Sequence, residues 1–305
     1  MQAAVRTFGL TRRYGGRAVV DGLDLQVPSR SLFALLGPNG AGKTTTFSMI
    51  CGFVRPDSGR IEVLGEPASR LPLRRISALP QDAHFHPERT VWDSMIFLAH
   101  LQGLPPARAR SEATRVLEVV DLWDSRGLRG RELSHGLAKR FGVAQAFLGE
   151  PELVLLDEPT EGLDPRNAHA VRQMIRQMAR SATVLVSSHN LAEVEDLCDH
   201  AAILDRGRLV VQAPMAELTG QDQHLFIRLA DAGREVPAAL SSLPGVVSVE
   251  SEEDGRRLHL LLRPPGGQPI ESLITEVLKV MIDRGATIGS VTRGRRLEER
   301  FLELT

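Results

Sequence analysis

"LFALLGPNGAGKTTTFSMI", residues 32–50, joins three kinds of sequence in one short run. Leu32 to Leu36 is apolar and of strand length, Gly37 to Thr44 follows G-x-x-x-x-G-K-[ST], and TTFSMI continues as a helix. A strand that enters a glycine turn and leaves as a helix is the setting in which this pattern cradles phosphate. Gly37, Gly40 and Gly42 let the backbone curl so that successive N–H groups converge on an anion. The helix behind them adds its positive end. Lys43 is placed to neutralise β- and γ-phosphates, and the Thr44 hydroxyl to ligate Mg²⁺.

The matching half lies downstream in "PELVLLDEPTEGLDP", residues 151–165. Leu153 to Leu156 reads as a buried strand that Asp157 closes. A carboxylate at the C-terminal edge of a parallel sheet falls beside a phosphate loop, where it can hold Mg²⁺ through water. Glu158 follows as the carboxylate that a water-activating base requires. A third apolar run, "TVLVS" (183–187), leads into Ser188 and His189. A histidine after a strand is by itself a surface residue. Third in a series of strand ends that carry a phosphate loop and an Asp-Glu pair, it reads as functional.

Composition adds bounds. The 305 residues allow two domains, or one large domain with an appendage, and 42% hydrophobic content is enough for a sizeable core. Lysine and arginine number 37 against 38 acidic residues, so bulk charge gives no reason to expect nucleic acid. Cys51 and Cys198 show neither metal nor redox spacing and read as buried thiols of a reducing compartment. The N-terminal residues lack a signal-peptide run, and no apolar stretch approaches the roughly 18 residues of a membrane span. The expectation is a soluble, cytoplasmic chain that reaches a membrane only through a partner.

Taken together, these motifs resemble the ATP-binding cassette ATPases, the nucleotide-binding subunits of ABC transporters, over about residues 4–220. "GPNGAGKTT" matches the Walker A segment, so Gly37, Pro38, Asn39, Gly40, Ala41, Gly42, Lys43, Thr44 and Thr45 are expected to hold ATP. "LVLLDE" matches Walker B, "EGLDP" the D-loop through Asp164, and "SSHN" the switch-histidine segment through His189. "LPQD" places Gln81 at the Q-loop position, implying contact with the metal and the reacting water. "RRYGG" places Tyr14 where the family stacks an aromatic ring on adenine. The resemblance implies an α/β P-loop NTPase cassette: a parallel-sheet core with antiparallel β and helical subdomains, the helical part at about 82–140. In the family that helical part docks on the membrane subunits. Phe85 and Trp92 read equally well as core-packing residues.

The family's signature, Leu-Ser-Gly-Gly-Gln, stands here as "LSHGL" (133–137), with His135 and Leu137 replacing the first glycine and the glutamine. Family cassettes meet head to tail, each ATP lying between one subunit's Walker A and the other's signature helix. Ser134 and Gly136, which carry the hydroxyl and backbone N–H contacts to that phosphate, are retained. Leu137, Phe141, Ala144 and Leu148 give the helix one apolar face. Glu161 is the other departure, since the D-loop usually begins with a small or amide residue.

Beyond residue 220 the motifs stop. "LFIRLA", "VVSVES", "LHLLLR" and "TIGSVT" read as strands; "EVPAALSSL" and "IESLITEVLKVMIDRG" read as helices, with "RRLEERFLEL" as a terminal one. The order β-α-β-β-α-β suggests a small α+β ferredoxin-like domain over 221–305. A similar appendage closes many exporter-type cassettes. The expected function is therefore an ATPase with ATP and Mg²⁺ as cofactors. Two copies would clamp two nucleotides and drive a separate membrane permease in the direction of export, from the cytoplasmic face. The alternative is a non-transport cassette acting on nucleic acid or ribosomes. The stretch from Lys43 to Asp157 is too short for the long arm such relatives carry.

Overall fold

A computed structural model describes residues 3–70, 73–83, 85–220, 223–231, 236–294 and 297–304. The chain divides between Ala213 and Pro214 into two units. Residues 214–220, grouped with the first domain on composition, fall in the second unit: Pro214 ends a strand and Met215–Leu218 turns into a short helix.

The first unit opens with β1 (Ala3–Tyr14), β2 (Arg17–Leu23), β3 (Gln26–Pro28), β4 (Leu32–Leu36) and α1 (Lys43–Ile50). Next come β5 (Ser58–Val63), β6 (Glu66–Pro67), β7 (Ile76–Leu79), α2 (Val91–Leu101), α3 (Pro106–Val119) and α4 (His135–Ala146). It closes with β8 (Leu153–Asp157), α5 (Pro165–Met178), β9 (Thr183–Ser188), α6 (Leu191–Leu197), β10 (His200–Asp205) and β11 (Arg208–Pro214). Among the described residues there are two sheets here. One is antiparallel and built around β1; the other has the order β11-β10-β4-β9-β8-β7, parallel from β10 to β7.

Every residue of β4, β8 and β9 is buried. Parallel strands covered on both faces read as continuous apolar runs, which is why these three were legible as strands. Phe33 and Leu35 of β4, Leu155 of β8 and Leu185 of β9 share one core with Val5 and Val63 of the antiparallel sheet. The two sheets are thus layers of a single body.

The helices carry conventional starts. Thr90 accepts from the Asp93 N–H ahead of α2, Pro106 opens α3, and Ser134 accepts from the Leu137 N–H ahead of α4. Phe85 packs edge-on against Phe141 at 4.6 Å, and Phe141 is 1% exposed. Trp92 meets Trp123 in the same manner at 5.9 Å. Both aromatics of the 85–95 stretch therefore have packing partners. Burial pushes the Cys51 thiol up to about 12, and raises Cys198 as well. Neither is a reactive thiolate near neutrality.

The second unit runs α7 (Met215–Leu218), β12 (His224–Leu229), α8 (Val236–Ser241), β13 (Val246–Glu252), β14 (Arg257–Leu262), α9 (Ile270–Asp283), β15 (Ile288–Arg293) and α10 (Leu297–Leu304). Glu235 and residues 295–296, which begin two of the helices read from sequence, lie outside the described residues. Its antiparallel sheet has the order β13-β14-β12-β15. This is the connectivity of a split β-α-β fold. Leu225, Ile227 and Leu229 alternate inward on β12, as do Leu258, Leu260 and Leu262 on β14. They meet Leu240 of α8 and Leu273, Val277 and Met281 of α9, spaced one helical turn apart.

Candidate nucleotide site

Parallel register brings three strand ends together. Leu36 of β4 lies opposite Ser188 of β9, and Asp157 of β8 opposite Ser187. The loop after β4, the Asp157–Glu158 pair after β8 and His189 after β9 must therefore emerge side by side at the carboxyl edge of the sheet. Ligands bind at such edges in open α/β sheets.

The loop is built by its glycines. Gly42 has φ +99°, and a Cβ there would come within 2.6 Å of the Val19 carbonyl oxygen. Gly37 is hemmed in the same way, its Cβ position 2.4 Å from the Leu204 carbonyl oxygen. A Gly42→Ala variant is expected to lose both the turn and anion binding. A nucleotide titration beside a melting curve checks this, and unchanged affinity would refute the cradle geometry.

Lys43 begins α1 and is 7% exposed. Its Nζ donates to the carbonyls of Gly37 at 2.8 Å and Pro38 at 3.4 Å, and stands 3.9 Å from Glu158 Oε1. Burial lowers its pKa, while the charges of Glu158, Asp157 and Glu161 oppose that shift. The ammonium is held at the loop mouth by contacts that a phosphate oxygen can replace. Thr44, exposed, and Thr45 line the same hollow.

Glu158 is 6% exposed and adopts φ +49°, outside the strand conformation of Asp157. That turn aims its carboxylate at His189, whose Nδ1 lies 3.0 Å from Oε1. Asp157 is 3% exposed and accepts from the Ser187 hydroxyl, whose oxygen also accepts from the Glu158 N–H at 3.1 Å. Ser187 thus ties the Asp157 carboxylate and the Glu158 main chain to β9. Lys139 of α4 donates to the Glu158 carbonyl at 3.2 Å. Sequence reading assigned neither residue a role. Ser187 stood inside a motif valued only for its histidine, and nothing in the α4 sequence singles out Lys139.

A hollow of about 320 Å³ is lined by the loop from Asn39 to Thr45 together with Val19, Gln81, Glu158 and Glu161. Lys43, Thr44, Thr45, Gln81 and Glu158 are therefore brought together as the motifs suggested. Tyr14, Ser134, Gly136 and Asp164 do not line it. Tyr14 ends β1 at 46% exposure with the Arg12 guanidinium 4.7 Å from its ring. Asp164 caps α5, accepting from the N–H groups of Arg166 and Asn167 at 3.1 Å, which holds its carboxyl below the usual range. Neither His135 nor Gly136 has a left-handed backbone, so replacing the first signature glycine costs no backbone strain.

A glycine loop between a central parallel strand and a helix, with acidic and histidine strand ends beside it, defines the class: a P-loop nucleotide-hydrolysing protein. The family follows from comparison with known proteins. A family model described as ABC transporter matches residues 20–161. The chain is 33% identical over 302 residues to the Nod factor export ATP-binding protein I of Ralstonia nicotianae, covering 97% of this chain and 92% of that one. It is 34% identical over 311 residues to the daunorubicin/doxorubicin resistance ATP-binding protein DrrA of Streptomyces peucetius, covering 99% and 92%. Among solved structures, cbiO1 of Clostridium perfringens superposes with a TM-score of 0.66 at 25% identity, over 72% of this chain and 92% of that one. The chain belongs to the ATP-binding proteins of ABC transporters, and is an ATPase of that family.

Proposed function

We propose that this chain is the energising subunit of an exporter, binding and hydrolysing Mg-ATP between two head-to-tail copies to drive a separate membrane permease. The observation that carries the reading is the convergence of Lys43, Glu158 and His189 at adjacent parallel strand ends. Export is supported by near full-length similarity to a Nod factor export protein and to a drug-resistance ATP-binding protein. Among the described residues no helix is long and apolar enough to cross a membrane, so the permease is a separate chain in this reading. The subunit then sits on the cytoplasmic membrane face.

The loop N–H groups and Lys43 bind the phosphates, and Tyr14 stacks on the base. Thr44, Gln81 and Asp157 supply only oxygen ligands, and Asp157 is already buried and oriented. Such a set suits a small hard cation held with a phosphate. They would hold Mg²⁺, which when bound neutralises phosphate charge. Glu158 orients and deprotonates water, while His189 stabilises charge at the terminal phosphate. Ser134, Gly136 and Asp164 serve the partner's nucleotide.

The test is purification of the full chain from membranes in ATP and after ATP depletion. An integral membrane protein should co-purify, and the isolated chain should dimerise with ATP. Recovery with ribosomes or nucleic acid instead would overturn the reading.

A further inference from the structure

Glu161 sits between two parts of the site and is held at every polar group. Its N–H donates to the Glu158 carbonyl at 3.2 Å, and its own carbonyl lies 3.3 Å from His135 Nε2. Its carboxylate Oε2 accepts from Gln81 Nε2 at 2.6 Å. Gly162 keeps His135 against this turn: a Cβ there would stand 3.0 Å from His135 Nε2, on a backbone of φ +76°. Glu161 and Gln81 both line the phosphate hollow, and both also line an adjoining hollow of about 410 Å³. The carboxylate is thus on the nucleotide side of the turn, with its backbone pinned behind it.

We propose that Glu161 is a positioning residue of the phosphate site, tethering the Gln81 amide so that a nucleotide's terminal phosphate must take that amide from a carboxylate. This rests on the nucleotide reading above. A carboxylate and a phosphate oxygen are both acceptors, and a Gln81 side chain held against Glu161 has to leave it to turn toward the phosphate, so the two compete for the placement of one amide group. Only the third phosphate reaches that far in this reading, so the tether discriminates ATP from ADP. Engagement of Gln81 then loosens Glu161, whose main chain is in contact with the first residue of α4. Arrival of the terminal phosphate is in this way coupled to the signature segment of the same chain.

The experiment titrates the full-length protein with a non-hydrolysable ATP analogue and with ADP, both with magnesium. Glu161→Ala should tighten the ATP analogue about 3–10-fold, the worth of one net hydrogen bond, and leave ADP within about twofold. Glu161→Gln, which keeps an acceptor for Gln81, should stay within about twofold of the wild type for both. In a Gln81→Ala background, Glu161→Ala should add nothing, because the two act as one unit. Equal tightening of ADP, equal effects of Glu161→Gln and Glu161→Ala, or no tightening of the ATP analogue would each overturn the tether. Lys43→Ala separates the two levels. If it binds the analogue as the wild type does, the nucleotide reading itself fails; if it loses binding while Glu161→Ala changes nothing, only the tether fails.

Discussion

Replacing Lys43 by alanine should lower ATP affinity by about 10²–10³-fold while leaving the protein folded. The side chain is 7% exposed, and its ammonium is held by the Gly37 and Pro38 carbonyls with Glu158 close by. A phosphate taking those places gains charge-assisted hydrogen bonds worth about 1.5–3 kcal/mol each, and two of them account for the expected loss. Truncation also leaves the buried Glu158 without its cationic neighbour. Lys43→Arg should fail nearly as badly, because a planar fork does not fit a slot shaped for a slim ammonium. Isothermal titration with ATP, beside a melting curve, checks both variants. Wild-type affinity in folded Lys43→Ala would exclude this loop as the phosphate site.

Glu158→Gln should separate binding from chemistry. The amide fills the same volume and can still meet His189, now 3.0 Å from Oε1, so ATP should bind at least as well as before. It cannot take a proton from water, and losing a positioned base costs about 10²–10⁴-fold in turnover. Phosphate release should fall by that factor, and ATP-bound dimers should accumulate. A variant that hydrolyses at the wild-type rate would remove Glu158 from the mechanism. Neither result depends on which cargo is moved.

Much of this was legible in the residues. The parallel core announced itself because strands buried on both faces leave unbroken apolar runs, as in Leu32–Leu36 and Leu153–Leu156. The phosphate loop was readable because its glycines answer a backbone demand: at Gly37 and Gly42 a side chain would collide with the carbonyls of Leu204 and Val19. Sequence could not show those two carbonyls, which come from distant parts of the chain. Nor could it show Ser187 holding the Asp157 carboxylate and the Glu158 N–H, Lys139 reaching the Glu158 carbonyl, or Glu161 holding Gln81. Those contacts depend on register across strands and on side-chain direction, and a linear pattern carries neither. The signature segment is a case of the reverse kind: His135 stands where the family has glycine, and its helical backbone asks for nothing special.

The left-handed backbone at Glu158 has a consequence for anyone who would improve this protein. A residue with a Cβ is roughly 1–2 kcal/mol worse off there than glycine. Glycine at that position would relax the turn, but it would also strip the buried Lys43 and the neighbouring His189 of their carboxylate partner. Removing one partner of a buried pair costs about 3–5 kcal/mol, more than the strain relieved. The strained turn is thus carried by the same contacts that equip the site, and a selection for heat resistance alone has no reason to discard the base.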